Sequence, residues 1–204
     1  ECRLCLSFNH PLIVDVYEID KGEKAGFLVM EHLPNGGVDS ILDDSRLNLP
    51  VALNIIMQAA EALSYIHKQG IIHRDVKLSN LLIKSWKTRK APQIKLADFG
   101  ISKEINKEGL TVIGTKMGTE FYSAPEQRDS PEKADQRSDI YSLGVCLYRL
   151  ISRTNYPEGD FPSINEIYPQ APEGLNDVMM KCLNNDPDKR FSTVDQFLHI
   201  LSKL

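Results

Sequence analysis

Across one short stretch, His73-Arg74-Asp75-Val76-Lys77-Leu78-Ser79-Asn80 sets a carboxylate, an ammonium and a carboxamide at close offsets. Asp98-Phe99-Gly100 and Ala124-Pro125-Glu126 follow it in that order. Carboxylates, a carboxamide and an ammonium are the side chains that move protons, hold hard cations and face anions. Each tripeptide recurs by chance, and treated singly each reads as an ordinary loop string. Three of them, in one order and with Lys77 and Asn80 at their offsets, are far harder to reach by chance.

The set resembles the catalytic loop, the metal-binding loop and the activation-segment anchor of Ser/Thr protein kinases. Ala124-Pro125-Glu126-Gln127 and the compact layout are most similar to the bacterial eukaryotic-like members. The resemblance implies ATP-dependent transfer of the γ-phosphoryl group to Ser and Thr hydroxyls of protein substrates. Such transfer asks a protein to position phosphates, divalent metal and nucleophile rather than to do covalent chemistry. On the family pattern, Asp75 accepts or orients the substrate hydroxyl proton, and Lys77 places positive charge at the transferring group. Asn80 and Asp98 give oxygen ligands to Mg²⁺, with Mn²⁺ as an alternative, and Phe99 accompanies Asp98 in its loop. Thr119, in Gly118-Thr119-Glu120-Phe121-Tyr122, matches the threonine that bonds the catalytic Asp and Lys.

Further matches extend the resemblance along nearly the whole chain. Phe27-Leu28-Val29-Met30-Glu31-His32-Leu33 resembles the strand and hinge that hold adenine. Met30 then stands at the gatekeeper position, backbone groups of Glu31 and Leu33 bond the base, and Leu82 lies beneath it. Gly37 departs from the pattern, since many members carry there an acid that contacts the ribose. Asp139 matches the aspartate that caps the central buried helix and holds the catalytic loop, and Glu126 with Arg190 matches a buried ion pair. Arg74, beside Asp75, is the arginine that an activating phosphate neutralises; Thr115 matches the usual phosphorylation position and Thr111 is second to it. Glu1 falls where the ion-pairing glutamate of the first-lobe helix sits. The expectation is therefore a chain truncated before that helix, lacking the Gly-rich loop and the strand lysine, with activity of its own in doubt.

The elements that must position these groups read as α+β. Apolar runs at residues 12–18 and 26–31 predict two strands of a hairpin, and Pro34-Asn35-Gly36-Gly37 breaks the chain where a hinge could lie. From Pro50, the stripe Ile56, Ala59, Ala60, Leu63, Ile66 predicts a helix ended by Gly70. Leu81-Leu82-Ile83 and Ile94-Lys95-Leu96 predict short strands, residues 140–151 a helix buried nearly all round, and residues 175–183 and 194–201 two amphipathic helices. Residues 1–32 are thus read as a remnant of a β-rich first lobe and 33–204 as a mainly helical second lobe.

Composition narrows the alternatives. A net charge of -4 gives no general reason to bind nucleic acid or an anionic membrane. No run approaches the roughly 18 uninterrupted apolar residues of a membrane span. Cysteines 2, 5, 146 and 182 are too few and scattered for a disulfide framework, which favours a reduced, cytoplasmic setting. Cys2 and Cys5 form a C-x-x-C with no second ligand pair, so core cysteines are the simpler reading. Lys84, Lys87, Arg89 and Lys90 around Trp86 read as a solvated hairpin loop before they read as a docking patch for an acidic partner. A non-catalytic kinase-like scaffold has no chemical need for Asp75, Lys77, Asn80 and Asp98 together. A small-molecule phosphotransferase explains Asp75 and Asn80 but not the Thr119 loop, Glu126 or Arg190.

Overall fold

The computed structural model describes residues 4–21, 26–87, 90–98, 120–154 and 160–204. A 3₁₀ turn at Leu4–Ser7 leads to an antiparallel hairpin of β1 (Val16–Lys21) and β2 (Gly26–Met30). Its register pairs Val16 with Met30 and Asp20 with Phe27, with a bulge between Val16 and Glu18. The first strand therefore begins later than residues 12–18 suggest. Leu12, Ile13 and Val14 are buried instead against the second sheet, where Val14 N–H donates to Leu96 O at 3.0 Å and Leu96 N–H to Leu12 O at 2.8 Å. Their apolar character is spent on the larger core, and the half-exposed residues beyond them form the strand.

That second sheet is the antiparallel pair β3 (Leu81–Ser85) and β4 (Gln93–Leu96), with Leu82 opposite Lys95. Leu81, Ile83, Ile94 and Leu96 are buried toward the core, so the period of two puts Leu82 and Lys95 on the other face.

Helix α1 (Leu49–His67) starts on Asn48, whose side chain accepts the N–H of Val51 at 3.1 Å, with Pro50 in the first turn where its missing N–H costs nothing. It ends at Gly70, φ 76°, with Gly70 N–H to His67 O at 2.9 Å and Ile71 N–H to Ile66 O at 3.1 Å, the paired bonds of a glycine-terminated helix. By length and composition α1 is the one helix among the described residues that could cross a membrane, and its Ile55, Ile56, Ala59, Ala60, Leu63 and Ile66 are fully buried in the protein core.

After the short helix α2 (Pro125–Asp129) comes α3 (Gln136–Ser152), buried from Ser138 to Tyr148 and closed by Arg153 at φ 57°. Its N-cap is Asp135, which accepts the N–H of Arg137 at 2.8 Å. Asp139 is thus not the cap expected of it: the helix begins a turn before its apolar run, and Asp139 lies buried inside that first turn. A single turn, α4 (Ile164–Ile167), precedes α5 (Leu175–Cys182) and α6 (Val194–Leu201), whose apolar faces pack on α3 and α1. Gly144 permits the close crossing of α3 by α5, since a Cβ there would sit 2.7 Å from Cys182 Cβ. Of the C-x-x-C pair, Cys2 lies outside the described residues and Cys5 falls in the opening 3₁₀ turn.

Candidate active site

The loop that carries Asp75 is held from beneath by α3 and α1. Asp139 Oδ2 accepts the backbone N–H of His73 and Oδ1 that of Arg74, each at 2.8 Å, and His67 Nε2 of α1 meets Oδ2 at 2.8 Å. Arg74 stands at φ 63°, a left-handed conformation that costs a non-glycine residue on the order of 1–3 kcal/mol and persists only where its surroundings fix it. Its other backbone group is fixed too, because Gln127 Nε2 donates to Arg74 O at 3.0 Å. Gln127 Oε1 meanwhile accepts the N–H of Ala124 at 3.2 Å, so one carboxamide joins the start of α2 to the Asp75 loop.

His73 is wholly buried and its two nitrogens are both used. Nδ1 accepts the N–H of Asp75 at 3.3 Å, which makes Nε2 the protonated nitrogen that donates to Ala97 O at 3.0 Å. Burial pushes its pKa down, in keeping with a neutral ring. His73 thereby ties Asp75 to the strand that leads to Asp98.

Around Asp75 two expected residues converge. Lys77 Nζ donates to Asp75 Oδ2 at 2.9 Å, and Asn80 Nδ2 donates to Oδ2 at 3.1 Å and to Asp75 O at 2.9 Å. Asn80 O accepts the N–H of Ala97 at 2.9 Å, which brings the Asn80 and Asp98 loops side by side. Asp98 is exposed and sits at φ 59°, a second left-handed non-glycine residue at the site after Arg74. Nδ2 of Asn80 is spent on Asp75, and its Oδ1 is a neutral oxygen donor on the loop bonded beside that of Asp98. Among the described residues no cluster of three or more His, Cys, Asp or Glu could hold a metal ion. Two hard oxygen donors suit a cation such as Mg²⁺, which completes its shell with water and phosphate.

On the hairpin side, Glu31 N–H donates to Asp15 O at 2.8 Å and Leu33 O accepts the N–H of Gly36 at 3.5 Å. Met30 is 39% exposed at the end of β2, and Leu82 is half-buried on the β3–β4 face away from the core. Gly37 has a steric reason to lack a side chain: a Cβ would lie 2.8 Å from the Ser79 backbone and 2.5 Å from Asp39 Oδ1.

Farther out, Glu126 and Arg190 form a bidentate pair at 2.7 and 2.8 Å, with Arg190 fully buried and Glu126 13% exposed at the side chain. Ser138 Oγ adds a bond to Glu126 Oε1 at 2.7 Å. Burial alone would raise the Glu126 pKa, but Arg190 and Ser138 outweigh it and hold it below the ordinary carboxylate value. Glu1, Phe99, Thr111, Thr115 and Thr119 lie outside the described residues.

Two further groups at the site act through contacts distant in the sequence. Gln127 joins α2 to Arg74 through contacts 53 positions apart. Lys95, a cation inside an apolar strand, is buried against Glu31 and Asp15; its alternation with Ile94 and Leu96 was the available hint.

A family model described as protein kinase domain matches residues 1–201. The chain is 30% identical over 218 residues to "Probable serine/threonine-protein kinase CPE1738" of Clostridium perfringens, covering 100% of this chain and 31% of that protein. It is 34% identical over 219 residues to "Probable serine/threonine-protein kinase SCO3848" of Streptomyces coelicolor, covering 96% of this chain and 31% of the relative. It spans about a third of the length of these curated relatives. The kinase domain of Mycobacterium tuberculosis PknI superposes with a TM-score of 0.78 at 22% identity, over 98% of this chain and 74% of that one, a likeness of fold.

Proposed function

This chain belongs to the protein kinase domain family, and from that premise we propose that it transfers the γ-phosphoryl group of ATP to Ser and Thr hydroxyls of proteins. The observation that carries the proposal is the convergence of Lys77 and Asn80 on the Asp75 carboxylate, with the Asp98 loop bonded alongside. A carboxylate held by an ammonium and a carboxamide keeps one oxygen anchored and presents the other to an incoming hydroxyl. Asp75 would orient that hydroxyl and accept its proton, while Lys77 neutralises charge on the transferring phosphoryl group. Asn80 and Asp98 would hold Mg²⁺, which when bound supplies charge neutralisation at the phosphates. Glu31 C=O and Leu33 N–H would bond adenine above Leu82.

Residues 33–204 are assigned to the lobe that carries the Asp75 loop, and residues 1–32 to the β-rich first lobe, an assignment supported by the separate β1–β2 and β3–β4 sheets. Retention of Asp75, Lys77, Asn80 and Asp98 in one connected network favours an enzyme over a scaffold. The test is transfer of labelled γ-phosphate from ATP to a mixed protein substrate by the full-length natural protein, followed by phosphoamino-acid analysis. Phosphoserine and phosphothreonine support the proposal; predominant phosphotyrosine, or label on small molecules alone, refutes it.

A further inference from the structure

Lys95 is a charge buried inside an apolar strand. It sits in β4 between the fully buried Ile94 and Leu96, and its side chain is 4% exposed. Its Nζ donates to Glu31 Oε2 at 2.5 Å and to Asp15 Oδ2 at 3.0 Å, residues 64 and 80 positions away. The cross-strand partner of Lys95 is Leu82, and paired residues of an antiparallel ladder share a face. The ammonium therefore rises from the face that also carries Leu82, away from the core and toward the hairpin.

Asp15 and Glu31 are the two feet of that hairpin, just before β1 and just after β2. They are bonded to each other through Glu31 N–H and Asp15 O at 2.8 Å. One ammonium thus ties both feet to β4, and β4 runs on through Ala97 to Asp98. Glu31 opens the segment 31–33 assigned above to the base, whereas Asp98 is assigned to the metal at the phosphate end.

We infer that Lys95 is a positioning residue for the nucleotide, fixing the segment that holds the base at a set distance from the strand that delivers Asp98. The inference rests on the functional reading just given and adds a residue to it. A buried cation with two carboxylates is costly to assemble and strongly directional once made, so it resists rocking of the hairpin on the β3–β4 sheet. Burial alone would lower the Lys95 pKa, but its bonds to Glu31 and Asp15 hold it above the ordinary lysine value, so the cation persists across physiological pH. Without it, two carboxylates would face each other beside the base site, with nothing to set their height above β4.

The test compares wild type, Lys95→Met, Lys95→Arg, Glu31→Gln and the double variant Lys95→Met/Glu31→Gln in the full-length protein. Equilibrium binding of a fluorescent ATP analogue and the ATP dependence of phosphotransfer are both read, with Tm as a folding control. A misplaced base segment is expected to weaken nucleotide binding and raise KM about tenfold in Lys95→Met, with kcat changed by less than about threefold. Lys95→Arg keeps the charge and restores most of the affinity. The double variant is no worse than Lys95→Met, because both changes remove the same bond. Should Lys95→Met fail to fold, Glu31→Gln and Lys95→Arg carry the comparison. Affinity and KM within twofold of wild type in every folded variant overturn the inference while leaving the kinase assignment standing, as does a loss confined to kcat. A wild type that binds no nucleotide overturns both.

Discussion

Asp139 Oδ1 accepts the backbone N–H of Arg74 at 2.8 Å, and so a buried carboxylate in the central helix holds a left-handed residue next to Asp75. The second oxygen holds His73 and meets His67, which makes Asp139 the point where α1, α3 and the Asp75 loop join.

Removing that carboxylate strands several polar groups at once. Asp139→Ala leaves the N–H groups of His73 and Arg74 without acceptors, each at a cost of about 1–3 kcal/mol when buried. The expected outcome is a loss of stability of at least about 2 kcal/mol, together with a larger fractional fall in kcat than in nucleotide affinity. Urea denaturation midpoints alongside steady-state kinetics check it. Wild-type stability would show that Arg74 keeps φ 63° by other means.

The Glu126–Arg190 pair predicts a pH signature. Its carboxylate has a depressed pKa in the folded protein, so its contribution is complete above the ordinary Glu value and is lost as pH falls through the folded value. The stability gap between wild type and Glu126→Gln is therefore expected to be widest near neutrality and to shrink as pH drops below about 4.5. Arg190→Met, which leaves the Glu126 carboxylate with Ser138 but no cationic partner, is expected to cost about 3–5 kcal/mol. Chemical denaturation from pH 7 to pH 3 gives both numbers; a gap that widens on acidification would mean that the pair does not hold the Glu126 carboxylate ionised.

Gly37 offers a substitution that tests shape against chemistry. Adding the acid that many kinases carry would seem to supply a ribose contact, yet its Cβ meets the Ser79 backbone at 2.8 Å. Ser79 lies in the Asp75 loop, so relief of the clash must move the loop or the Gly37 segment. Gly37→Asp is expected to destabilise the protein by about 1–3 kcal/mol and to weaken nucleotide binding. Calorimetric Tm and nucleotide titration of the variant decide the matter, and tighter binding would overturn it.

What the sequence made legible follows from how local each signal is. The stripe from Ile56 to Ile66 and the Gly70 terminator lie within one helix, and α1 follows them closely. The start of α3 was harder, because Asp139 stands directly before the apolar run that begins at Ile140, whereas the cap, Asp135, lies a turn upstream. The turn Gln136-Arg137-Ser138 is polar because its side chains are used: Gln136 donates to Ser192 O, Arg137 pairs with Asp135 and Asp188, and Ser138 donates to Glu126. Leu12 to Val14 reads as strand by composition, yet its hydrogen bonds go to Leu96, more than eighty residues on. At the site, Asp75, Lys77 and Asn80 are neighbours in sequence and so were visible together. The clamp of Lys95 on Asp15 and Glu31 was invisible for the opposite reason, since nothing near any of the three points to the others.

In the proposed reaction Asp75 orients and accepts the proton of a protein hydroxyl while nucleotide is held elsewhere. The direct measurement is phosphotransfer and ATP binding by Asp75→Asn in the full-length protein, run beside wild type. General-base positioning accounts for about 10²–10⁴ in rate, so kcat is expected to fall by at least about a hundredfold with nucleotide affinity changed by less than about threefold. Transfer within a few-fold of wild type would rule out that role for Asp75.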